Sequence, residues 1–377
     1  PPPPPPPPPP PFFFNDTATT EIYTLFPTRR SSDLPYGGRY RQIDFTLSNM
    51  SNSGIRHIGI ITKYNYQSLM NHIGSGQEWD LELEEGGLEY LTPFAMGHNG
   101  SYRGKVEALN SAMIFLENAL EDYVVLADSN VLCNIDLDRV LEQHVESGKD
   151  VTVAVKAGIA NGSKQLDLGI RLDKKGQVSD MAVDYCAGPD YLASMGIFVI
   201  SRELLIYFVK ESVARSRYRF ERDFLLKQFN DKNLTVGVYN FDGVAMFNES
   251  TQEYYRNNLA LIDFDTRHGL FRTDRNIYTK VRDRVPATYG ENSQIDDCIV
   301  ADGCQLDGIA DHSVFFRQVR LDEGAEVKEC VIMNDCSIGA GAELYCAILD
   351  KDVVVRPGVR LIGTPENPIV VKRGEIV

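Results

Sequence analysis

The 377-residue chain is 43% hydrophobic and 24% charged, an ordinary globular composition long enough for two domains of about 100–200 residues each. Its formal net charge of −15 argues against a nucleic-acid or membrane-surface protein, while leaving room for a local Arg/Lys pocket that takes an anionic sugar phosphate. No apolar run approaches the roughly 18 residues of a membrane span, and seven cysteines without a CxxC pair read as reduced thiols, so a soluble cytoplasmic protein is expected.

The chain opens on a proline run, Pro1 to Pro11, which favours polyproline II and cannot build a core. The text after it resembles translated sequencing-adapter DNA. Residues 1–34 are therefore expected to be non-native, disordered and outside the fold. From residue 35 to about 262, strand-like and helical runs alternate. Residues 57–62 (HIGIIT) form a short apolar run, followed by a helix over about 65–73. Val106, Leu109, Met113, Leu116 and Leu120 recur at helical spacing and give one apolar stripe. Residues 123–127 (YVVLA) read as a strand buried on both faces. A helix over 137–145 and a strand over 151–155 follow, and 174–177 (KKGQ) suits a hairpin turn. This order predicts βαβ units and a mostly parallel, mixed sheet.

Residues 263–280 are charged, lack a clear period and read as a linker. Beyond them the sequence repeats every 17 residues: Phe315, Ile332 and Leu349; Leu321, Ile338 and Val355; Val327, Leu344 and Leu361. Gly324, Gly341 and Gly358 keep the same step, and one period earlier stand Cys298, Cys304 and Ala310. Steps of 6, 6 and 5 turn one apolar residue inward per side of a three-sided coil, with glycine where a corner needs positive φ. Stacked coils bury a column that one coil cannot bury alone. A parallel β-helix over 281–377 is expected, with an irregular β-sandwich as the alternative.

The segment 37–49 (GGRYRQIDFTLSN), with Asn52-Ser53-Gly54-Ile55 after it, closely resembles a block of the glucose-1-phosphate adenylyltransferases. Tyr102-Arg103-Gly104, residues 192–199 (LASMGIFV) and the coiled C-terminal domain agree in the same order. The resemblance implies a Rossmann-like nucleotidyltransferase domain followed by a left-handed parallel β-helix. It also implies tetramers that form ADP-glucose and pyrophosphate from ATP and glucose 1-phosphate with Mg²⁺. Among these proteins the chain most resembles the non-catalytic, regulatory subunit of Firmicutes glycogen biosynthesis, which implies a homologous catalytic subunit as partner in a heterotetramer.

The departures from that family pattern are informative. In the active relatives Mg²⁺ neutralises charge on the reacting phosphates and takes hard oxygen ligands, usually one or two carboxylates. Aligned by Ala127 and Asp136, the family's Gly-Asp pair falls on Asp128 and Ser129, so Ser129 stands where a metal-binding Asp is expected. The second metal-binding Asp falls on Phe247, which cannot coordinate a cation. A substrate lysine gives way to the stretch 183–186 (VDYC), where Asp184 would repel a phosphate. Losing about 4 kcal/mol of charge stabilisation already costs near a thousandfold in rate. No bound metal, no cofactor and no catalytic residue are expected for this chain. Asp128 is the fallback ligand if the strand slips by one position, under an alternative reading as an active enzyme; otherwise it reads as a turn or cap residue.

The resemblance makes Tyr102, Arg103, Gly104, Gly169 and Ser194 substrate-binding positions, vestigial or regulatory here. Each also fits a plain role in a helix cap or strand. Arg39, Arg41 and Arg56 could line an anion site for an effector, or lie on the surface as scattered arginines do. His312 falls in the coil region, where related acyltransferases carry a catalytic histidine. No acyl-carrier motif accompanies it, so it reads as a solvent-facing corner, and a bifunctional sugar nucleotidyl/acyltransferase is the third reading.

Overall fold

The computed structural model describes residues 33–62, 66–83, 86–92 and 102–377, together with the backbone of Phe12–Asn15. The proline run and residues 16–32 lie outside the described residues, as does the first residue expected for the 65–73 helix. The chain divides into two units, residues 1–17 with 45–245, and residues 18–44 with 246–377.

The first unit is built on a nine-stranded sheet. Its strands are β1 (Phe12–Asn15), β2 (His57–Ile61), β3 (Gly87–Leu91), β4 (Tyr123–Ala127) and β5 (Val151–Lys156), then β6 (Leu166–Leu172), β7 (Val178–Tyr185), β8 (Leu192–Ser201) and β9 (Val236–Asn240). The order β7-β6-β8-β4-β1-β2-β3 forms the main path, and β5 joins β8 to β9. The pairs β1–β2, β1–β4, β2–β3 and β5–β9 are parallel. Strand β8 runs against β4, β5 and β6, and the expected hairpin joins β6 to β7. The antiparallel share therefore exceeds what the hairpin alone contributes, because β8 is a shared neighbour of three strands.

The expectation that residues 1–34 contribute nothing to the fold is corrected at Phe12–Asn15. Parallel strands β2 and β4 each present a ladder of N–H and C=O groups that needs a partner. The backbone of β1 supplies it to both, and three consecutive phenylalanines suit a strand. Leu34 is also fully buried, so the segment's last residue belongs to a core.

Two short helices, α1 (Lys105–Ser111) and α2 (Met113–Asn118), carry the predicted stripe. Val106, Leu109, Met113 and Leu116 are buried as expected, but Leu120 is 87% exposed. The helix ends at Asn118, and extended backbone at Ala119 turns the chain toward β4 before Leu120 can join the stripe. Opposite, α3 (Leu137–Ser147) begins at Asp136, whose carboxylate accepts from the Asp138 N–H. Helix α4 (Arg202–Ala214) begins at Ser201 in the same way. The alternating valines of β5 and the apolar faces of α1, α2 and α4 close one core with Phe198, Phe220 and Phe224.

The second unit is a parallel β-helix of three five-stranded sheets. The predicted repeat positions from Phe315 to Val355 point inward and are buried, whereas Leu361, toward the end, is only partly so. The expected partners one period earlier are corrected: Val300, not Cys298, pairs with Phe315 and Leu306, not Cys304, with Leu321, because the first coil is shorter than the 17-residue step, while Ala310 pairs with Val327 as expected. Gly324, Gly341 and Gly358 have φ of +71°, +67° and +73°, as the corner requires. The other two corners hold non-glycine residues at positive φ on the same 17-residue step. They are His312, Glu329 and Cys346 on one, and Gln318, Asp335 and Asp352 on the other.

The expected linker at 263–280 is corrected as well. Asp263 caps a helix, α6 (Phe264–Leu270), by accepting from the Thr266 N–H at 2.8 Å. The preceding helix, α5 (Thr251–Leu259), also belongs to this unit rather than to the α/β domain. Tyr254 and Tyr255 bury their rings against Val314, Phe316, Val331, Met333 and Ile348 on the outer face of the coils, and that apolar face moves the boundary back to residue 246. Gly37 has φ +57° and donates its N–H to the Asn258 amide oxygen at 3.1 Å; a Cβ there would lie 2.7 Å from Leu261 Cδ1. In this structure Gly37 of the 37–49 block thus serves packing.

Candidate functional site

In open α/β sheets ligands bind in the crevice outside the carboxyl ends of parallel strands. Strand β4 ends at Ala127, and the next residue, Asp128, donates its backbone N–H to the Gly196 carbonyl at 3.0 Å. Gly196 lies in an irregularity of β8, between Ser194 and Ile197, at φ +68°. A Cβ at 196 would sit 2.7 Å from Asp128 Oδ2, so glycine is what leaves room for this carboxylate. The Ser194 hydroxyl accepts the Gly196 N–H at 3.1 Å and pins the irregularity.

The Asp128 carboxylate faces Lys105, the first residue of α1. Lys105 Nζ lies 2.8 Å from Asp128 Oδ2 and 2.6 Å from Glu221 Oε1, and the lysine is only 5% exposed. Glu221 comes from the π-helical segment Phe220–Leu226, a rare geometry common at functional sites. The ammonium also lies 5.3 Å from the Phe198 ring centroid and 5.9 Å from that of Phe220. Burial works against the charged lysine, but the Asp128 and Glu221 carboxylates together outweigh it and hold its pKa above the ordinary value. Burial pushes Asp128 up to about 6; Lys105 pulls it down, and Glu221 adds to the rise.

Gly104, just before Lys105, brings two backbones together. A Cβ at this position would lie 2.2 Å from the Tyr218 carbonyl oxygen, which accepts the Val106 N–H at 3.0 Å. The Tyr218 ring takes the Arg103 guanidinium at 3.7 Å, and Arg103 also reaches Glu107 Oε1 at 2.7 and 3.0 Å. Glu107 Oε2 accepts the Arg103 N–H at 2.6 Å. The Arg103 guanidinium and the Arg103 and Val106 amides are thus already bonded within the chain. Tyr102 is buried with its hydroxyl 2.9 Å from that of Ser111.

The remaining predicted positions have packing roles. Gly169 lies under Leu166 and Tyr191, where a Cβ would come within 3.2 and 3.3 Å of their side chains. Ser129 is buried at 3% exposure. Phe247, in the second unit, is buried at 5% exposure, and its carbonyl accepts from Asn257 Nδ2 at 2.9 Å. A hydroxyl, a phenyl ring and an aspartate already paired with an ammonium do not fit a magnesium ion, which needs hard anionic oxygens. The reading of Asp128 as a turn or cap residue is corrected, since its half-buried side chain belongs to an ion triad with Lys105 and Glu221. Asp184 does not stand alone either: Arg219 and Arg222 reach it at 3.0 and 2.8 Å and offset the charge expected to repel a phosphate.

Arg41 pairs with Asp33, and Arg56 lies 3.4 Å from Asp80 Oδ2, while Arg39 is exposed with its guanidinium 5.6 Å from the Tyr40 ring. His312 sits at a corner with Nδ1 3.1 Å from Asp297 Oδ2, which agrees with its reading as a structural, solvent-facing residue. Sequence reasoning missed Glu221, Tyr218 and the role of Lys105. Glu221 and Tyr218 lie far from Lys105 along the chain and carry no local spacing signal. All seven cysteines are free, and among the described residues no helix is long and apolar enough to cross a membrane.

The pattern of the nucleotidyl transferase family matches residues 20–243, and a GlmU-like C-terminal hexapeptide pattern matches residues 284–367. The chain belongs to the nucleotidyl transferases, with a hexapeptide-repeat β-helix, left-handed as expected, attached. Within that class it is 30% identical over 353 residues to the glycogen biosynthesis protein GlgD of Bacillus subtilis (strain 168), spanning 94% of this chain and 92% of that one. It is also 28% identical over 337 residues to the glucose-1-phosphate adenylyltransferases of Bacillus thuringiensis (strain Al Hakam) and Bacillus anthracis, spanning 86% of this chain and 87% of each relative. The particular family is thus the one formed by GlgD and the glucose-1-phosphate adenylyltransferases. The first match begins at residue 20, inside the segment expected to lie outside the fold.

Proposed function

We propose that this chain is a regulatory, non-catalytic subunit of an ADP-glucose pyrophosphorylase in glycogen biosynthesis, working in the cytoplasm with a homologous catalytic subunit. One observation carries the reading: the crevice beyond β4 holds a lysine-carboxylate triad, while Ser129 and Phe247 occupy the positions expected for metal-binding acids. Mg²⁺ belongs to the active relatives, and no resident cofactor is assigned to this chain. A subunit without that chemistry can still act by stabilising the active conformation of a partner, since anything that binds one state preferentially shifts the population toward it.

The supporting experiment is co-expression of this chain with a catalytic glucose-1-phosphate adenylyltransferase from the same genome. The two chains are expected to co-purify through size exclusion as a mixed oligomer, with a substrate or effector response different from that of the catalytic chain alone. Separate elution with unchanged kinetics of the catalytic chain would overturn the proposal.

A further inference from the structure

The lysine at the crevice is itself informative. A primary ammonium buried to 5% exposure loses its hydration, and it is retained only where carboxylates replace that water. Here two of them do so at 2.8 and 2.6 Å, from separate elements: Asp128 after β4 and Glu221 on the π-helical segment. Two converging carboxylates at the end of a parallel strand are also what a magnesium or manganese ion would recognise. The ammonium already lies between them, and its stem is fixed by the start of α1, where Gly104 lets the backbone approach Tyr218. Gly196 in turn gives the Asp128 carboxylate the space to face it.

We infer that Lys105 is a tethered internal cation that occupies the Asp128–Glu221 pair and keeps a divalent metal ion out of the crevice. This deepens the non-catalytic reading and rests on it for its biological sense, but its test reads metal binding and not turnover. The lysine acts here as a positioning residue: it holds the two carboxylates in the geometry they would otherwise give to a metal.

The experiment compares the full chain, Asp128→Asn, Lys105→Ala, and Lys105→Ala with Asp128→Asn, each titrated with Mn²⁺ and followed by the loss of the free-ion paramagnetic resonance signal. Lys105→Ala leaves two half-buried carboxylates without their cation and is expected to bind Mn²⁺ at least about tenfold more tightly than the unaltered chain. The double variant is expected to lose that gain. Thermal denaturation supplies a second readout: Mn²⁺ raises the midpoint of Lys105→Ala and leaves that of the unaltered chain in place. If Lys105→Ala folds only with metal, Mn²⁺ during refolding should restore it. Failure of such rescue while the double variant folds would overturn the inference. So would equal Mn²⁺ affinity of Lys105→Ala and the unaltered chain, or binding by the unaltered chain that Asp128→Asn abolishes. ADP-glucose formation by the unaltered chain would instead contradict the functional proposal, so the two failures are distinguishable.

Discussion

Asp128 is the residue at which alternative accounts of the site diverge. Its ordinary carboxyl would be ionised well below neutrality, but burial raises it to about 6. In the unfolded chain it titrates near the usual aspartate value of about 3.9. Protonated, it contributes stability that is complete below the unfolded value and is lost as the pH rises through about 6. An asparagine side chain at this position cannot titrate. The unaltered chain should therefore lose stability relative to Asp128→Asn between about pH 4 and about pH 6, with no further relative change above it. Urea denaturation followed by the fluorescence of Trp79, the only tryptophan and a residue of the same unit, measures the difference. A constant difference across that range would mean that Asp128 has no raised pKa. Sequence alone could flag Asp128 as a departure from the family pattern, because its neighbours in the chain carry that signal. The other two members of its triad, Lys105 and Glu221, lie 23 and 93 residues away along the chain, so the triad was not legible there.

At the scale of elements, the β-helix was the most legible part of the chain, since the inward positions of its middle coils repeat on one step and are buried by the coils on either side, while the first and last coils depart from that step. Ile338 stands in the middle of the stack and is fully buried, whereas Leu361, near the end, is only partly so. Ile338→Ala should cost about 3 kcal/mol from lost transfer energy and a residual cavity, and Leu361→Ala clearly less. Urea denaturation read by far-ultraviolet circular dichroism is the appropriate measurement, because Trp79 lies in the other unit. Equal costs at the two positions would argue against a stack whose middle is better buried than its end. What the pattern missed has local causes. Two of the three corners use His, Glu, Cys, Gln and Asp at positive φ, where the glycine signal is absent. Tyr254 and Tyr255 lie in a helix that reads as the end of an α/β domain, but their rings belong to the outer face of the coils. Strand β1 falls in a stretch whose composition suggested no core at all, yet its backbone pairs with two neighbours.

At the scale of the whole molecule, the chain keeps the framework of a nucleotidyl transferase, and the proposed function gives it no metal chemistry of its own. The block around 37–49 survives with structural roles: Gly37 fits a positive-φ turn, and Asn49 in the same block holds the backbone around Cys133 and Ile135 through its side-chain amide, at 2.9 and 3.2 Å. These contacts tie the block to the fold itself, which is why the family could be read from sequence. They also explain why fold resemblance alone does not carry activity: function lies in particular groups at the site. The most direct measurement is the initial rate of ADP-glucose formation by the purified chain alone, given ATP, glucose 1-phosphate and Mg²⁺. The account predicts a rate indistinguishable from a blank without protein. Sustained turnover by the lone chain, abolished by Asp128→Asn, would contradict it.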